Sequence, residues 1–147
     1  METSSNAEPR VQLAQSADDV SRCYSVMHQL RGHLSLEAFS SGVQIQAREG
    51  YGLAYVESGG QVVAVAGFRI YHMLFSGKTL YVDDLVTDDA HRSQGHGELL
   101  LQWLVARARE SGCQTFSLDS GVQRARAHRF YFMQGMKISS FHFDLAL

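Results

Sequence analysis

The apolar residues of this chain follow two periods, one typical of helices and the other typical of strands. The clearest helical segment covers residues 97–110, whose core face is formed by Leu100, Leu101, Leu104, Val105 and Ala108. Another helix is predicted after Ser16, which can form a capping box with Asp19, and it ends at Gly32. A long apolar run over residues 61–71 predicts a strand that is covered on both of its faces.

Weaker patterns complete the order of the elements. Helices are also predicted over residues 35–48 and 124–133, and strands over residues 11–14, 51–57, 78–87, 114–118 and 136–145. The segment Ser58-Gly59-Gly60 predicts a hairpin turn. The resulting order, βααβββαβαβ, predicts an α+β fold around one mixed sheet. We expect residues 1–9 to form a disordered polar leader and residues 10–147 to form a single domain.

The length and the composition of the chain exclude several classes of protein. Its 147 residues fit one domain, and its 45% hydrophobic and 19% charged residues exclude a disordered chain. A net charge of −2 argues against a nucleic-acid binder. Cys23 and Cys113 form neither a disulfide scaffold nor a zinc motif, and no apolar run reaches the roughly 20 residues of a membrane span. We therefore expect a cytoplasmic protein without nucleic-acid or membrane partners.

The segment most informative about function is the loop Arg92-Ser93-Gln94-Gly95-His96-Gly97, between a predicted strand and a predicted helix. The N-terminus of a helix carries unpaired N–H groups and a partial positive charge, so it attracts phosphate. Glycine lets the backbone approach an anion closely, and the guanidinium of Arg92 adds a positive charge. The loop contains no Gly-Lys pair, so it is not a P-loop of the type G-x-x-x-x-G-K-[ST].

Two phosphate-binding interpretations of this loop remain, beside that of an ordinary glycine-rich turn. In a Rossmann fingerprint, Gly95 and Gly97 would be the first two glycines, and Asp119 would take the place of the ribose-binding acid. However, Leu100 stands where the third glycine is needed, and the unit begins too late in the chain for a doubly wound domain. The other interpretation is an R-x-x-G-x-G loop that binds the pyrophosphate of an acyl-CoA.

A second motif favours the acyl-CoA interpretation. Residues 127–136 contain the pattern Ala127-x-x-x-Tyr131-x-x-x-Gly135-Met136. Together with residues 80–87 and the loop at 92–97, this pattern resembles the conserved blocks of the GNAT superfamily of acetyl-CoA-dependent N-acetyltransferases in order and separation, although its last position is more usually Phe. The C-terminal part also resembles bacterial small-amine acetyltransferases such as the aminoalkylphosphonate N-acetyltransferases. The resemblance covers the chain from residue 11 onward and implies the GNAT fold, in which helices flank a mixed, mostly antiparallel sheet.

The resemblance implies how acetyl-CoA, the cosubstrate, would bind. The strands at 78–87 and 114–118 would splay apart, and acetyl-CoA would lie in the gap with its pantetheine arm beside the backbone of Leu85, Val86 and Thr87. The residues assigned to the pyrophosphate are Arg92, Ser93, Gln94, Gly95, His96, Gly97 and Glu98. His128, three positions before Tyr131, would line the distal end of the cofactor; a solvated or capping histidine is the alternative.

Acetyl transfer from a thioester to an amine needs two proton movements. The amine must lose a proton before it attacks, and the departing thiolate is best protonated as it leaves. Tyr131 matches the tyrosine that acts as the acid in the family, and a core aromatic residue is the alternative. The base is expected to be Asp84, or else Asp83, acting through water, and a paired or solvated carboxylate with no catalytic part is the alternative. Strand alternation would place the two on opposite faces, so that at most one faces the cleft. The histidine spacing does not favour a metal site.

The acceptor pocket is expected from the first two helices and the loop after Tyr71. These segments carry aromatic and weakly basic side chains: Tyr24, His28, Arg31, His33, Phe39, Tyr71, His72 and Phe75. The mixture favours a small amine that bears an anionic group, such as an amino acid or an aminophosphonate. The open alternatives are a protein lysine or N-terminus as acceptor, a non-catalytic acyl-CoA-binding module and a nicotinamide-dependent oxidoreductase. Members of the GNAT superfamily are often dimers, so the resemblance also allows a homodimer.

Overall fold

The computed structural model describes residues 8–147, and residues 1–7 of the predicted leader lie outside the described part. Five strands form one sheet in the order β1-β2-β3-β4-β5, and the pairs from β1 to β4 are antiparallel. The elements are β1 (Arg10–Leu13), α1 (Ala17–Leu30), α2 (Leu36–Ala47), β2 (Tyr51–Ser58), β3 (Gln61–Met73), β4 (Gly77–Thr87), a 3-10 turn (Asp89–His91), α3 (His96–Glu110), β5 (Thr115–Leu118) and α4 (Ala125–Met133). The predicted α+β class with a mixed, mostly antiparallel sheet is confirmed.

Local sequence signals set several of these boundaries. At the start of α1, the backbone N–H of Asp19 donates to the Ser16 hydroxyl at 3.1 Å, and the Asp19 carboxylate accepts from the backbone N–H of Ser16 at 3.2 Å. This is the predicted capping box. The hairpin between β2 and β3 turns at Gly59 and Gly60, whose φ angles are +58° and +78°.

The central strand β3 is covered on both faces, as its apolar run predicts. Val65 is fully buried in a cluster with Val26 of α1 and Phe39 of α2. Phe68, on the opposite face of the strand, makes an edge contact with Trp103 of α3 at a centroid distance of 6.0 Å. Helices α1 and α2 therefore cover one face of the sheet, and α3 covers the other.

β4 and β5 start side by side at the same end of the sheet. The backbone N–H of Gln114 donates to the carbonyl of Lys78 at 2.7 Å, and the Thr115 hydroxyl donates to the carbonyl of Ser76 at 2.9 Å. Since α3 connects the end of β4 to the start of β5, the two strands form a parallel pair with a helical crossover. The four-residue β5 is much shorter than the eleven-residue β4, so the last residues of β4 extend beyond it.

The structure divides into two compact units, the first ending at Ser117 and the second covering Leu118–Leu147. The second unit contains α4 but not the predicted strand over residues 136–145, because residues 136–147 have no regular secondary structure. The alternation of Phe141, Phe143 and Leu145 is typical of a strand, but an extended segment becomes a stable strand only when another strand pairs with it. In the part of the chain described, no helix is long and apolar enough to cross a membrane.

Candidate active site

A cavity of about 510 Å³ lies in the first unit, between α1, α2, β2 and β4. Three of the residues expected in the acceptor pocket line it, namely Arg31, His33 and Phe39. The others do not: Tyr24 and His28 bond to each other and to the carbonyl of Leu34, and Tyr71, His72 and Phe75 are absent from its lining. The first two helices therefore contribute to the cavity as expected, whereas the loop after Tyr71 does not.

Asp83 and Asp84 both line this cavity, contrary to the expectation that strand alternation would separate them. The cause is a β-bulge. Arg69 pairs with Tyr81 and Gly67 pairs with Asp84, so that two steps along β3 match three steps along β4, and Asp83 is the extra residue. Because Arg69 and Gly67 lie on one face, Tyr81 and Asp84 also share that face, and alternation from Tyr81 adds Asp83 to it.

Asp84 is held at the cavity wall by two different donors. The Nε of Arg31 donates to Asp84 Oδ1 at 2.8 Å, and the hydroxyl of Tyr51 donates to Oδ2 at 3.0 Å. Arg31 also donates from Nη2 to the carbonyl of Asp83 at 3.0 Å. Burial, followed by the nearby Asp84 carboxylate, raises the pKa of Tyr51 far above its usual range, so this phenol stays protonated. Each oxygen of Asp84 keeps a further lone pair for a water molecule or a ligand.

The absence of a side chain at Gly67 makes room for the Tyr51 hydroxyl. A Cβ atom at residue 67 would lie 1.9 Å from that oxygen and 2.4 Å from the ring carbon that carries it. The glycine is therefore required by packing, and its φ angle is not positive. Tyr51 and Gly67 were not identified from the sequence, since neither one belongs to a motif.

Asp83 is bound on its side-chain carboxylate by Arg69. The guanidinium donates to both carboxylate oxygens, at 2.5 to 3.1 Å, and also to Gln46 Oε1 at 2.9 Å. The hydrogen bond with Asp83 raises the pKa of Arg69. The same guanidinium lies 5.6 Å from the centroid of the Tyr51 ring. Arg69 is the one charged residue within the apolar run 61–71, and this was the sequence signal that could have found it.

The predicted phosphate loop precedes α3, which begins at His96. Gly95 is the N-cap residue with a φ angle of +83°, and no side chain caps the helix. Ser93 also has a left-handed φ angle, +63°. A Cβ atom at Gly95 would meet no atom within 4 Å, so the space in front of this residue is open. The loop thus presents unpaired amides of a helix start to open space, which is the arrangement that binds an anion.

The side chains of this loop differ in what they can offer an anion. Arg92 forms an ion pair with the exposed carboxylate of Asp89. His96 is buried, its Nε2 lies 3.2 Å from the side-chain oxygen of Gln94, and burial lowers its pKa. His96 can therefore contribute its backbone amide but not an exposed cation. The side chain of Glu98 accepts a hydrogen bond from Gln102 at 3.3 Å.

Tyr131 and His128 lie on α4 in the second unit. Burial raises the pKa of Tyr131, and the positive charge of Arg124 partly opposes that shift. The phenol is consequently protonated at neutral pH, as a proton donor must be. The Nε2 of His128 donates to the carbonyl of Gly121 at 2.8 Å, in the segment that precedes α4.

The chain does contain one Gly-Lys-Thr tripeptide, Gly77-Lys78-Thr79, although the loop at 92–97 has none. It begins the strand β4 rather than a helix, and position 72 is histidine where a P-loop needs glycine. The ammonium group of Lys78 donates to the carbonyl of Ser111 at 2.5 Å. The position of the tripeptide in a strand and the histidine at residue 72 therefore exclude a P-loop here as well.

Comparisons with known proteins agree with this geometry. The family model "Acetyltransferase (GNAT) family" matches residues 15–136. The uncharacterized N-acetyltransferase YhdJ of Bacillus subtilis is 32% identical over 130 residues, which are 87% of this chain and 92% of that protein. The aminoalkylphosphonate N-acetyltransferase of Salmonella typhimurium is 29% identical over 140 residues, 90% of this chain and 88% of that protein.

The fold is also found among solved structures. The aminoglycoside N-acetyltransferase AAC(6')-Iy in complex with CoA has a TM-score of 0.84 to this chain at 12% identity, with 95% of each chain covered. At 12% identity, the similarity of the two structures shows the fold alone. Membership of the family is shown by the family model and by the relatives in sequence. This chain therefore belongs to the GNAT family of acetyltransferases, and it is an N-acetyltransferase.

Proposed function

We propose that this enzyme transfers the acetyl group of acetyl-CoA directly to the primary amine of a small molecule. The observation that carries the proposal is the cavity of about 510 Å³ bordered by α1, α2 and β4. Its volume is typical of small-molecule sites, which usually range from about 300 to 1,000 Å³. A protein lysine would instead need an open groove for the backbone on both sides of the acceptor, and a protein N-terminus would need one for the backbone that follows it.

The cosubstrate is held by backbone groups in this proposal. The uncapped amides at His96, Gly97 and Glu98 bind the diphosphate, and Ser93, Gln94 and Gly95 shape the turn before them. Arg92 adds charge when it exchanges Asp89 for the diphosphate. The backbone of Leu85, Val86 and Thr87 extends along β4 beyond β5, where the pantetheine arm can pair with it. His128 is proposed to border the distal end of the cofactor.

Two side chains are proposed to move protons. Tyr131 donates a proton to the thiolate of CoA as it leaves, which agrees with its raised pKa. Asp84 accepts the proton of the amine through one water molecule. Its two oxygens already accept hydrogen bonds from Arg31 and Tyr51, and the water would donate to one of their remaining lone pairs. Asp83 holds Arg69 and is the second choice for the base.

The acceptor is proposed to be an amine that also carries a carboxylate or a phosphonate. Arg31 bonds Asp84 through Nε and the Asp83 carbonyl through Nη2, which leaves Nη1 available to an anion within the cavity. His33 lines the same cavity. One relative is named for aminoalkylphosphonates, which supports this acceptor class for the present chain. A cytoplasmic location is part of the proposal, since both described cysteines are free thiols.

The test is release of free CoA thiol from acetyl-CoA over a panel of amines. We expect turnover with aminoalkylphosphonates or amino acids well above the rate of acetyl-CoA hydrolysis, and less with polyamines or lysine peptides. Turnover with peptides alone would favour the protein acceptor. Binding of acetyl-CoA in calorimetry without turnover on any amine would favour the non-catalytic module, and binding of NADH instead would favour the oxidoreductase.

A further inference from the structure

The side-chain amide of Gln46 is fixed in one orientation by a charged residue behind the wall of the cavity. Gln46 Oε1 accepts a hydrogen bond from Arg69 Nη2 at 2.9 Å. A guanidinium carries only N–H donors, so the atom of the amide that faces it must be the oxygen. The amide nitrogen Nε2 therefore points away from Arg69, and its two N–H groups are available to an acceptor atom elsewhere.

Gly42, one helical turn before Gln46, shows where this nitrogen lies. Both residues line the cavity, and they share one face of α2 because they are four positions apart. A Cβ atom at residue 42 would lie 3.9 Å from Gln46 Nε2, which is an ordinary contact distance. Packing therefore does not require a glycine here, although glycine inside a helix is less stable than alanine. The missing side chain leaves Nε2 uncovered on the side of the cavity.

Arg69 is itself held by Asp83, to whose two carboxylate oxygens it donates. Asp83 and Gln46 line the cavity, whereas Arg69 lies outside its lining. The carboxylate of Asp83 neutralises the guanidinium, so the group that this part of the wall offers to the cavity is the neutral amide donor of Gln46. The three residues thus form a chain of contacts that ends in an oriented N–H group.

We propose that Gln46 is a specificity-determining residue whose Nε2 donates a hydrogen bond to an oxygen atom of the acceptor's carboxylate or phosphonate, and that Arg69 is the residue that positions it. The role of Gln46 rests on the proposed function, in which the anionic group of the acceptor lies in this cavity. An amide nitrogen donates hydrogen bonds but does not accept them. Gln46 therefore binds an oxygen atom and offers nothing to a second ammonium group, so the cavity selects an anionic amine over a diamine of the same length.

The first test is Gln46→Glu, which keeps the size of the side chain and an oxygen for Arg69 but replaces the donor Nε2 by a carboxylate oxygen. KM is measured for an aminoalkylphosphonate and for the diamine of the same length, in which a second amine replaces the phosphonate. We expect the KM of the aminoalkylphosphonate to rise at least about tenfold with little change in kcat, since a hydrogen bond to a charged group is lost. The KM of the diamine should fall, because the new carboxylate attracts its second ammonium group.

The matched control is Gln44→Glu, which makes the same change at an exposed position of the same helix and should leave both KM values as they are. In Gly42→Ala, the new methyl group covers Nε2. This variant should raise the KM of the aminoalkylphosphonate without lowering Tm, because alanine is favoured over glycine inside a helix.

The positioning role of Arg69 is tested by Arg69→Lys, which keeps the charge opposite Asp83 but has one nitrogen in place of three. We expect the KM of the aminoalkylphosphonate to rise with kcat unchanged, and no further rise when the same substitution is added to Gln46→Ala, since the amide that Arg69 positions is then absent. An equal rise in both backgrounds would show that Arg69 does not act through Gln46.

The outcomes separate the role of Gln46 from the proposed function. If the native enzyme acetylates the aminoalkylphosphonate but Gln46→Glu leaves its KM unchanged, or moves the KM values of both acceptors in the same direction, the role of Gln46 is wrong and the proposed function stands. A native enzyme that acetylates no anionic amine would overturn both.

Discussion

The cavity between α1, α2, β2 and β4 and the loop at residues 92–97 lie in the same unit but are built by different means. Side chains of four elements form the cavity, where Arg31 and Tyr51 both donate hydrogen bonds to Asp84. The loop instead relies on backbone, with a left-handed Gly95 and an uncapped helix start. A site built from side chains depends on strand register, and one added carbon atom next to it can displace a side chain. A site built from backbone depends on conformation and charge, and tolerates changes of its side chains.

The largest expected effect comes from a negative charge at the helix start. In Gly97→Glu, a carboxylate stands where the diphosphate is proposed to bind. Charge repulsion at about 4 Å near a protein surface is worth up to about 4 kcal/mol, so we expect the affinity for acetyl-CoA to fall about 100-fold or more. Calorimetry measures this directly. The control Ala106→Glu adds the same charge at an exposed position of α3 well beyond the first turn, where the helix dipole acts weakly, and should bind normally.

A substitution at Tyr131 should leave intact the binding of the amine in the cavity and the binding of acetyl-CoA at the loop. Tyr131→Phe removes the proposed proton donor, and we expect kcat to fall by roughly 100-fold with little change in the dissociation constant of acetyl-CoA. Because burial raises the pKa of Tyr131 above its usual value near 10, the native enzyme should keep this donor through neutral pH and lose it only in strong alkali. Steady-state kinetics against pH test both points. Equal loss in kcat and in acetyl-CoA binding would contradict the role as acid.

A single methyl group tests whether the cavity depends on atomic packing. In Gly67→Ala, the new Cβ would meet the Tyr51 hydroxyl at 1.9 Å, so the tyrosine must move and its bond to Asp84 must break. We expect the KM for the amine to rise about tenfold, and the free energy of unfolding to fall by about 1–3 kcal/mol. Acetyl-CoA binding should not change. Gly32→Ala is the control, since its Cβ would find the nearest atom at an ordinary 3.4 Å.

The smallest effect is expected where α1 meets the segment before the loop. The Asp88 carboxylate accepts from Gln29 at 2.6 Å and lies 2.6 Å from His91 Nδ1. Both hydrogen bonds lower the pKa of Asp88, and the bond from Gln29 has the larger effect. Because its folded-state pKa lies below the unfolded value, the stabilisation is present above about pH 4 and is lost as the pH falls through the folded pKa.

Thermal unfolding of Asp88→Asn tests this link. The variant should unfold a few degrees below the native chain at neutral pH, and the difference should shrink as the pH falls below about 4. Asp89→Asn is a suitable control, because the carboxylate of Asp89 is exposed. A difference between native chain and Asp88→Asn that is constant from pH 7 to pH 2 would show that the charge of Asp88 is not what stabilises this segment.

The contrast between the two regions also explains what the sequence could predict. Glycine spacing before a strong helix is a local signal, so the position of the loop at 92–97 could be predicted. The cavity needed information that no local pattern carries. Alternation placed Asp83 and Asp84 on opposite faces, whereas the bulge opposite Gly67 places both on one face. The role of Tyr51 depends on a residue of β3 that touches it only in the folded chain.

The strand predicted over residues 136–145 is absent from the structure for a related reason. The alternation from Phe141 to Leu145 is typical of a strand, but a strand also requires a partner, and the pattern does not say which segment supplies it. The elements that were predicted well, such as α1 with its capping box and α3 with its apolar face, are stabilised largely by contacts near in sequence or by a wide apolar stripe.

A crystal structure of this chain with CoA would show most directly whether the loop at residues 92–97 binds the diphosphate. We expect diphosphate oxygens within hydrogen-bonding distance of the backbone amides at His96 and Gly97, and a pantetheine arm beside Leu85–Thr87 at the end of β4. A diphosphate bound elsewhere, with the space in front of Gly95 filled by solvent alone, would contradict this expectation.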